Sequence, residues 1–176
     1  MWYIVGLGNP GEEYEETRHN AGRIMLEGLE KLEKKGITLI TPDTFMNKSG
    51  LALKNIITSE KKASQLIVIH DDFNFPIGKF KISFNRSSGG HRGVESVIKA
   101  IKTEAFTRIR VGICPTTSSG KLKLPKDEKG IEGLILGKFK PVELVELKKV
   151  SKKVAQAVEM IITAGREKAM TEFNGR

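Results

Sequence analysis

Apolar residues alternate along the chain between short continuous runs and helical three-and-four spacing. Trp2 to Leu7 is an apolar, β-branched run closed by Gly8-Asn9-Pro10-Gly11, which predicts a buried strand and a turn. Ala21, Ile24, Met25, Leu29 and Leu32 keep helical spacing up to Gly36, a residue suited to ending a helix. Ile37 to Thr41 predicts a second strand closed by Pro42, and Leu53, Ile56 and Ile57 predict a helix entered through Thr44 to Gly50. Gln65 to His70 is nearly all apolar, as in a strand covered on both faces, and delivers His70, Asp71 and Asp72 at its C-terminal end. Lys79 to Phe84 alternates, predicting a half-exposed strand with Lys79, Lys81 and Ser83 on one face and Arg86 in the turn beyond. Val94, Val97, Ile98 and Ile101 predict a helix after the glycine-rich Ser87 to Gly93. In the fifth predicted strand, Arg108 to Ile113, Arg108 and Arg110 oppose Ile109, Val111 and Ile113.

From Pro115 to about Lys140 no period is sustained, and such a stretch inside a compact domain predicts a mobile, functional loop. Pro141 then opens a helix running to about Ala164. Strands alternating with helices over 176 residues imply one α/β domain. The expected architecture is a three-layer sandwich, a mixed, mostly parallel twisted sheet with helices on both faces.

Composition narrows the class. A hydrophobic fraction of 39% and a charged fraction of 29% are those of a globular protein, and no apolar run is long enough to span a bilayer. No secretory signal precedes the first strand, and Cys114 as the only cysteine rules out an internal disulfide or a cysteine-rich zinc site, so a cytoplasmic location is expected. The net charge of +9 favours a polyanionic partner, although lysine pairs such as Lys148-Lys149 and Lys152-Lys153 also suit a solvated helix face.

Gly6, Gly8 and Gly11 have the spacing of a dinucleotide-binding turn, but that turn needs a helix beginning at its third glycine. Here Glu12, Glu13, Glu15 and Glu16 follow, which repel a pyrophosphate, and Pro10 removes an amide donor. His19 and Asn20 instead fall at a helix start, and the acids after the third strand lie where ligands bind in open α/β sheets. A histidine, an acid, loop asparagines and no metal-ligand cluster suit hydrolysis by activated water without a cofactor, and no serine or cysteine has a nucleophile's setting. Binding of an anionic ligand without catalysis stays open on these residues alone.

Read together, several blocks are more specific: Gly6 to Gly11, Tyr14, Thr17 to Gly22, Phe45 to Gly50, His70-Asp71-Asp72, Gly89-Gly90-His91 and Arg108 to Ile113. In this order they resemble the bacterial-type peptidyl-tRNA hydrolases over nearly the whole chain. The resemblance implies hydrolysis of the ester between a peptide and the terminal ribose of a tRNA, by a monomer that needs no metal. His19 matches the family's general base and Asp71 the acid that orients it. Asn9 and Asn47 match asparagines that hold the peptide end, in a pocket that Tyr14, Phe45 and Met46 would line. Arg110, with Lys79, Lys81, Arg86 and Arg108 as neighbours, would hold tRNA phosphates. His70, His91 and Asp72 read as structural or turn-shaping residues.

The chain departs from the family pattern in three places. Arg92 stands where an asparagine helps position water and substrate, and arginine accepts no hydrogen bond. Ser83 stands where a lysine would share the phosphate with Arg110, which moves the expected grip toward Lys81. The segment between the first helix and Thr44 is shorter than the family's, leaving only Ile37 to Thr41 of its extra sheet. Arg92 motivates an alternative, a catalytically impaired relative kept as an RNA-binding module.

Overall fold

The protein's computed structural model describes residues 1–175, leaving Arg176 and the side chains of Lys34 and Lys35 outside the description. Five strands, β1 (Trp2–Gly6), β2 (Ile37–Ile40), β3 (Leu66–Pro76), β4 (Phe80–Phe84) and β5 (Thr107–Cys114), form one sheet in the order β2-β1-β3-β5-β4. All neighbours are parallel except β4, which runs antiparallel to β5 at the edge. Alternate residues of the central strands point to opposite faces and feed two cores. Ile4, Ile67, Ile69 and Ile109 pack beneath α1 (Ala21–Glu27), α5 (Pro141–Ala164) and α6 (Arg166–Asn174). Val5, Leu66 and Val68 pack beneath α2 (Glu60–Ser64), α3 (Arg92–Ile101) and the 3-10 turns of Met46–Ala52. The result is the expected three-layer α/β sandwich.

The longest helix shows how pattern becomes packing. Pro141 occupies its first turn, and the Glu143 carboxylate accepts the Lys140 amide at 2.7 Å, covering an otherwise unpaired donor. Leu147, Val150, Val154, Val158 and Ile161 then bury one stripe, each large side chain contributing about 1.5–3 kcal/mol.

Several local expectations are corrected. Helix α1 ends at Glu27, not at Gly36, because Gly28 abuts α5: a Cβ there would lie 2.9 Å from the Ser151 side chain. The chain continues in 3-10 turns over Glu30–Lys35, which still bury Leu29 and Leu32, and Gly36 ends them in the left-handed region at φ 78°. The helix expected around Leu53 is also 3-10 and turn, since side chains take bonds that a longer helix would make internally. Ser49 Oγ donates to the Met46 carbonyl at 2.7 Å, and the Gly50 amide donates to Ser96 Oγ at 2.9 Å.

Strand β3 runs on through His70 to Pro76, because β5 continues to pair with its polar half as far as Asp72 and again at Pro76. Part of the expected loop folds as α4 (Glu128–Leu136), whose Asp127 cap accepts the Gly130 amide at 2.8 Å; Gly130 and Gly133 dilute its apolar period. Helix α6 was not expected either. Its Asn174 amide pairs with both polar groups of Ile82 at 2.8 Å, closing part of the free edge of β4.

Candidate active site

His19 is held by the segment before α1, a 3-10 turn over Arg18–Asn20. The Arg18 amide donates to the Gly137 carbonyl at 2.9 Å and the Phe139 amide to Glu16 at 2.9 Å. The buried Arg18 guanidinium donates to Ile113 O at 3.2 Å and pairs with Glu143 at 2.9 Å, tying the turn to the end of β5 and the start of α5. Behind it, α1 lies hard on the sheet. A Cβ on Gly22 would lie 2.3 Å from Ile69 O and 2.7 Å from both Leu7 N and Leu7 O, so only glycine lets the helix come this close.

This placement brings His19 Nδ1 to 3.0 Å from both carboxylate oxygens of Asp71, at the C-terminal end of the apolar part of β3. His91 reaches the same carboxylate, with Nε2 2.8 Å from Oδ1. Burial by itself would raise the Asp71 carboxyl, but the His19 and His91 rings outweigh it and hold the group well below the ordinary carboxylate range. An ionised carboxylate only accepts hydrogen bonds, so both histidines donate to it. His19 therefore carries its proton on Nδ1, and its Nε2 lone pair, unbonded to any described residue, lines a cleft of about 1210 Å³.

His91 is fixed in the opposite tautomer. Its Nδ1 accepts the amides of Gly93 and Val94 at 3.2 and 3.3 Å, capping α3, so the proton sits on Nε2. The ligand atoms of His19, Asp71 and His91 lie within 4.8 Å of one another, a spacing that invites a metal ion. The donor chemistry does not suit one. A neutral imidazole has a single lone pair, and that of His91 is committed to the helix cap, so a metal on Nε2 would cost the cap or demand an imidazolate.

His70 supports the pair from behind. It is 2% exposed, its Nδ1 donates to the Asp71 carbonyl at 2.8 Å, and its ring lies 4.6 Å from that of His91. Burial and the adjacent His91 hold its imidazole well below the ordinary histidine range. The structural role expected for His70 agrees with this placement. For His91 the turn-shaping role is half the account, because no sequence signal links residue 91 to Asp71; only the α3 terminus sitting over β3 does.

Asn9 sits opposite. Its backbone is clamped by Asn20, whose side chain accepts the Asn9 amide at 2.8 Å and donates to its carbonyl at 2.9 Å. Asn9 Oδ1 accepts the Met46 amide at 2.8 Å. With that oxygen engaged, Asn9 offers the cleft its Nδ2 donor, narrowing the expectation that it both donates and accepts. Asn47 and Phe45 are exposed on the cleft wall and Met46 is buried behind them. Tyr14 stands outside that lining, edge-on to Phe45 at 6.2 Å between ring centroids. Ile131, Ile135 and Leu136 of α4 form an apolar wall from the stretch expected to be loop. Arg92, the first residue of α3, is exposed on the cleft.

The expected basic face is divided. Ser83 is 7% exposed and opposite Arg108 in the β4–β5 register, while Lys79 precedes β4 and neither Lys79 nor Lys81 lines the cleft. Lys81 faces Arg110 across the strands, and both cations lie over the Phe75 ring, 5.3 and 4.8 Å from its centre. Arg110 also binds Asp72 Oδ2 through Nε and Nη2, each at 2.9 Å. Asp72 is thus more than the expected turn residue, though its other oxygen does accept the Asn74 amide at 2.8 Å. Arg86 is exposed on the cleft, and Arg108 lines it while only 4% exposed.

No helix among the described residues is long and apolar enough to cross a membrane. A family model described as peptidyl-tRNA hydrolase matches residues 3–35 and 28–176. The chain is 37% identical over 198 residues to a peptidyl-tRNA hydrolase of Thermodesulfovibrio yellowstonii, covering 99% of each. It is also 37% identical over 191 residues to one of Aquifex aeolicus, covering 97% of this chain and 95% of the relative. In three dimensions it superposes on the crystal structure of peptidyl-tRNA hydrolase from Acinetobacter baumannii with a TM-score of 0.79 and 26% identity, covering 99% of this chain and 94% of that one.

Proposed function

The chain belongs to the peptidyl-tRNA hydrolase family, and on that footing we propose that it cleaves the ester joining peptide to tRNA in peptidyl-tRNA with water activated by His19. The observation that carries the mechanism is the contact of His19 Nδ1 with Asp71, which leaves Nε2 as a base facing the cleft. Nε2 takes a proton from water as its oxygen attacks the ester carbonyl, and the imidazolium returns that proton to the departing ribose oxygen. Asp71 stabilises the imidazolium and fixes the tautomer, as a buried carboxylate can for a catalytic histidine. No covalent intermediate is needed.

Asn9 Nδ2 and Asn47 hold the peptide end in this reading, with Phe45 and Met46 as the pocket wall and Tyr14 bracing Phe45. Arg92 contacts the substrate at the cleft as a donor only. Lys79, Lys81, Arg86, Arg108 and Arg110 serve the tRNA phosphates, whose recognition is independent of base sequence. The protein acts as a cytoplasmic monomer that frees tRNA for reuse.

The reading as an RNA-binding relative without activity is not favoured, since matched hydrolases span the chain from end to end and the His19–Asp71 contact is intact. The test is release of peptide from peptidyl-tRNA by the purified chain and by His19→Ala. Turnover by the intact chain with a loss of about 10²-fold or more in the variant is expected, from the usual contribution of a general base; equal turnover would sink the mechanism.

A further inference from the structure

The sheet ends differently at its two edges. At β4 the Asn174 side chain pairs with both polar groups of Ile82, and Lys81 adds a charge. At the other edge β2 reads Ile37-Thr38-Leu39-Ile40, with neither a charge nor a proline, the usual guards of an outer strand. The Trp2 amide donates to Gly36 O at 3.2 Å, and Trp2 is in register with Ile37. Successive peptide groups of a strand point to opposite sides, so Gly36, Thr38 and Ile40 bond β1 while the amides and carbonyls of Ile37 and Leu39 point outward. Among the described residues no strand lies beyond them. The chain is short here: its alignment with the Thermodesulfovibrio relative runs over 198 residues against its own 176, and the family model matches in pieces, 3–35 and 28–176, that meet just before β2.

This open edge adjoins the peptide end of the cleft. Strand β2 leads through Thr41 to Thr44 into Phe45 and Asn47 on the cleft wall. Arg23 donates both to Pro42 O, just after β2, and to Gly8 O, just before Asn9. On the α1 face of the edge lies a groove of about 500 Å³, lined by Leu26 and Leu39 and by the exposed Glu27, Glu30 and Glu33. Arg23 lines it too, and its Nε is buried without a hydrogen-bond partner among the described residues. Outward main-chain groups beside an acid-lined groove complement an extended polypeptide with basic side chains.

We propose that the free edge of β2 is a second binding site for the substrate's peptide, which adds to the sheet as a sixth strand. That the polypeptide is the substrate's own rests on the proposed function. Its carboxyl end lies at the ester near His19, beyond the C-terminal ends of β1 and β3, so a peptide running back along the edge is parallel to β2, as β2 is to β1. From Leu39 to Phe45 the chain spans at most about 20 Å when extended, so on the order of six peptide residues bridge the two sites. Main-chain pairing reads no sequence, and alternate side chains enter the groove, where the glutamates favour lysine or arginine.

The experiment compares decapeptidyl-tRNA, long enough to reach the edge, with dipeptidyl-tRNA, which is too short. The KM of the full chain should be about tenfold lower for the long substrate, the worth of about two main-chain hydrogen bonds. Lysines at alternate upstream positions should lower it further than glutamates. Leu39→Pro removes an outward amide, keeps the Thr38 and Ile40 bonds to β1 and should erase the length effect; the dipeptidyl substrate reports any damage to the fold. Glu30→Lys, an exposed change, should erase the preference for lysine. Another readout needs no turnover: a decapeptide joined to tRNA by a stable amide should slow hydrogen exchange at the Ile37 and Leu39 amides, and its dipeptide counterpart should not. Equal KM at both lengths, a length effect kept in Leu39→Pro, a lysine preference kept in Glu30→Lys, or no protection would overturn the site. So would a dimer of the free chain in which the same amides are already protected. Protection in a chain that fails to hydrolyse the ester would support the edge while refuting the catalytic reading; hydrolysis without protection would refute the edge alone.

Discussion

Replacing Asp71 by asparagine tests the central geometry more sharply than removing it. The carboxylate receives three contacts from two donors: His19 Nδ1 at 3.0 Å to each oxygen, and His91 Nε2 at 2.8 Å to Oδ1. An asparagine offers one acceptor oxygen and an NH₂ that only donates. The His91 tautomer cannot adapt, because its Nδ1 is engaged by the Gly93 and Val94 amides, so the asparagine oxygen must turn to His91. The NH₂ then faces His19 Nδ1, which becomes an acceptor, and the ring proton moves to Nε2, where the base is needed. Loss of general-base action is worth about 10²- to 10⁴-fold, or about 3–5 kcal/mol of barrier. Single-turnover release of peptide from peptidyl-tRNA should show that loss in Asp71→Asn. Adding His91→Leu removes the competing donor, lets the asparagine oxygen return to His19, and should recover about tenfold or more of the rate. A single variant within tenfold of the parent, or a double variant no faster than the single, would refute the tautomer argument.

Two further outcomes are expected. Gly22→Ala would press its methyl against the backbone of Ile69 and Leu7, which cannot swing aside. Lifting α1 should cost about 1–3 kcal/mol in chemical denaturation and slow hydrolysis by about 10²-fold through displacement of His19; stability equal to the parent's would contradict the packing. For pH, His70 is neutral in the fold with its value lowered, so the unfolded chain takes up a proton there that the native state refuses. Its stabilising contribution is complete above about pH 6.5 and is lost as pH falls below that, by up to about 1.4 kcal/mol per pH unit. Asp71, also lowered, adds a second loss only below the ordinary carboxylate range, near about pH 4. Urea denaturation between pH 7.5 and 5.5 should be flatter in His70→Asn than in the parent; parallel curves would count against a buried neutral His70.

The apolar runs of β1 and β3 and the spacing of α3 and α5 were readable because a strand buried on both faces and a helix buried on one leave different periods. Elements whose order comes from contacts elsewhere were not. Helix α4 has no fully buried residue and two internal glycines, α6 is held by pairing with an edge strand, and α1 stops where Gly28 meets α5. The same division runs through the site. Asn9, His19 and Asp71 fall at the ends of apolar elements and Asn47 in the helix entry of Thr44 to Gly50, and the motif blocks that contain them, in order along the chain, carry the family resemblance. That Ser83 and Arg108 are buried was hidden, because alternation gives the face a side chain takes but not what later packs over it.

The sequence by itself determined the α/β layering, which follows from local periodicity, and the family, which follows from its motifs in order along the chain; His19 as base and Asp71 as its acid are what that resemblance implies. Only the tertiary structure decided which tautomer His19 and His91 hold, that His91 shares Asp71 with His19, and that Arg108 and Ser83 lie buried opposite each other. Those properties depend on which donors meet which acceptors across residues 19, 71, 83, 91 and 108, distances that no local pattern in the chain encodes.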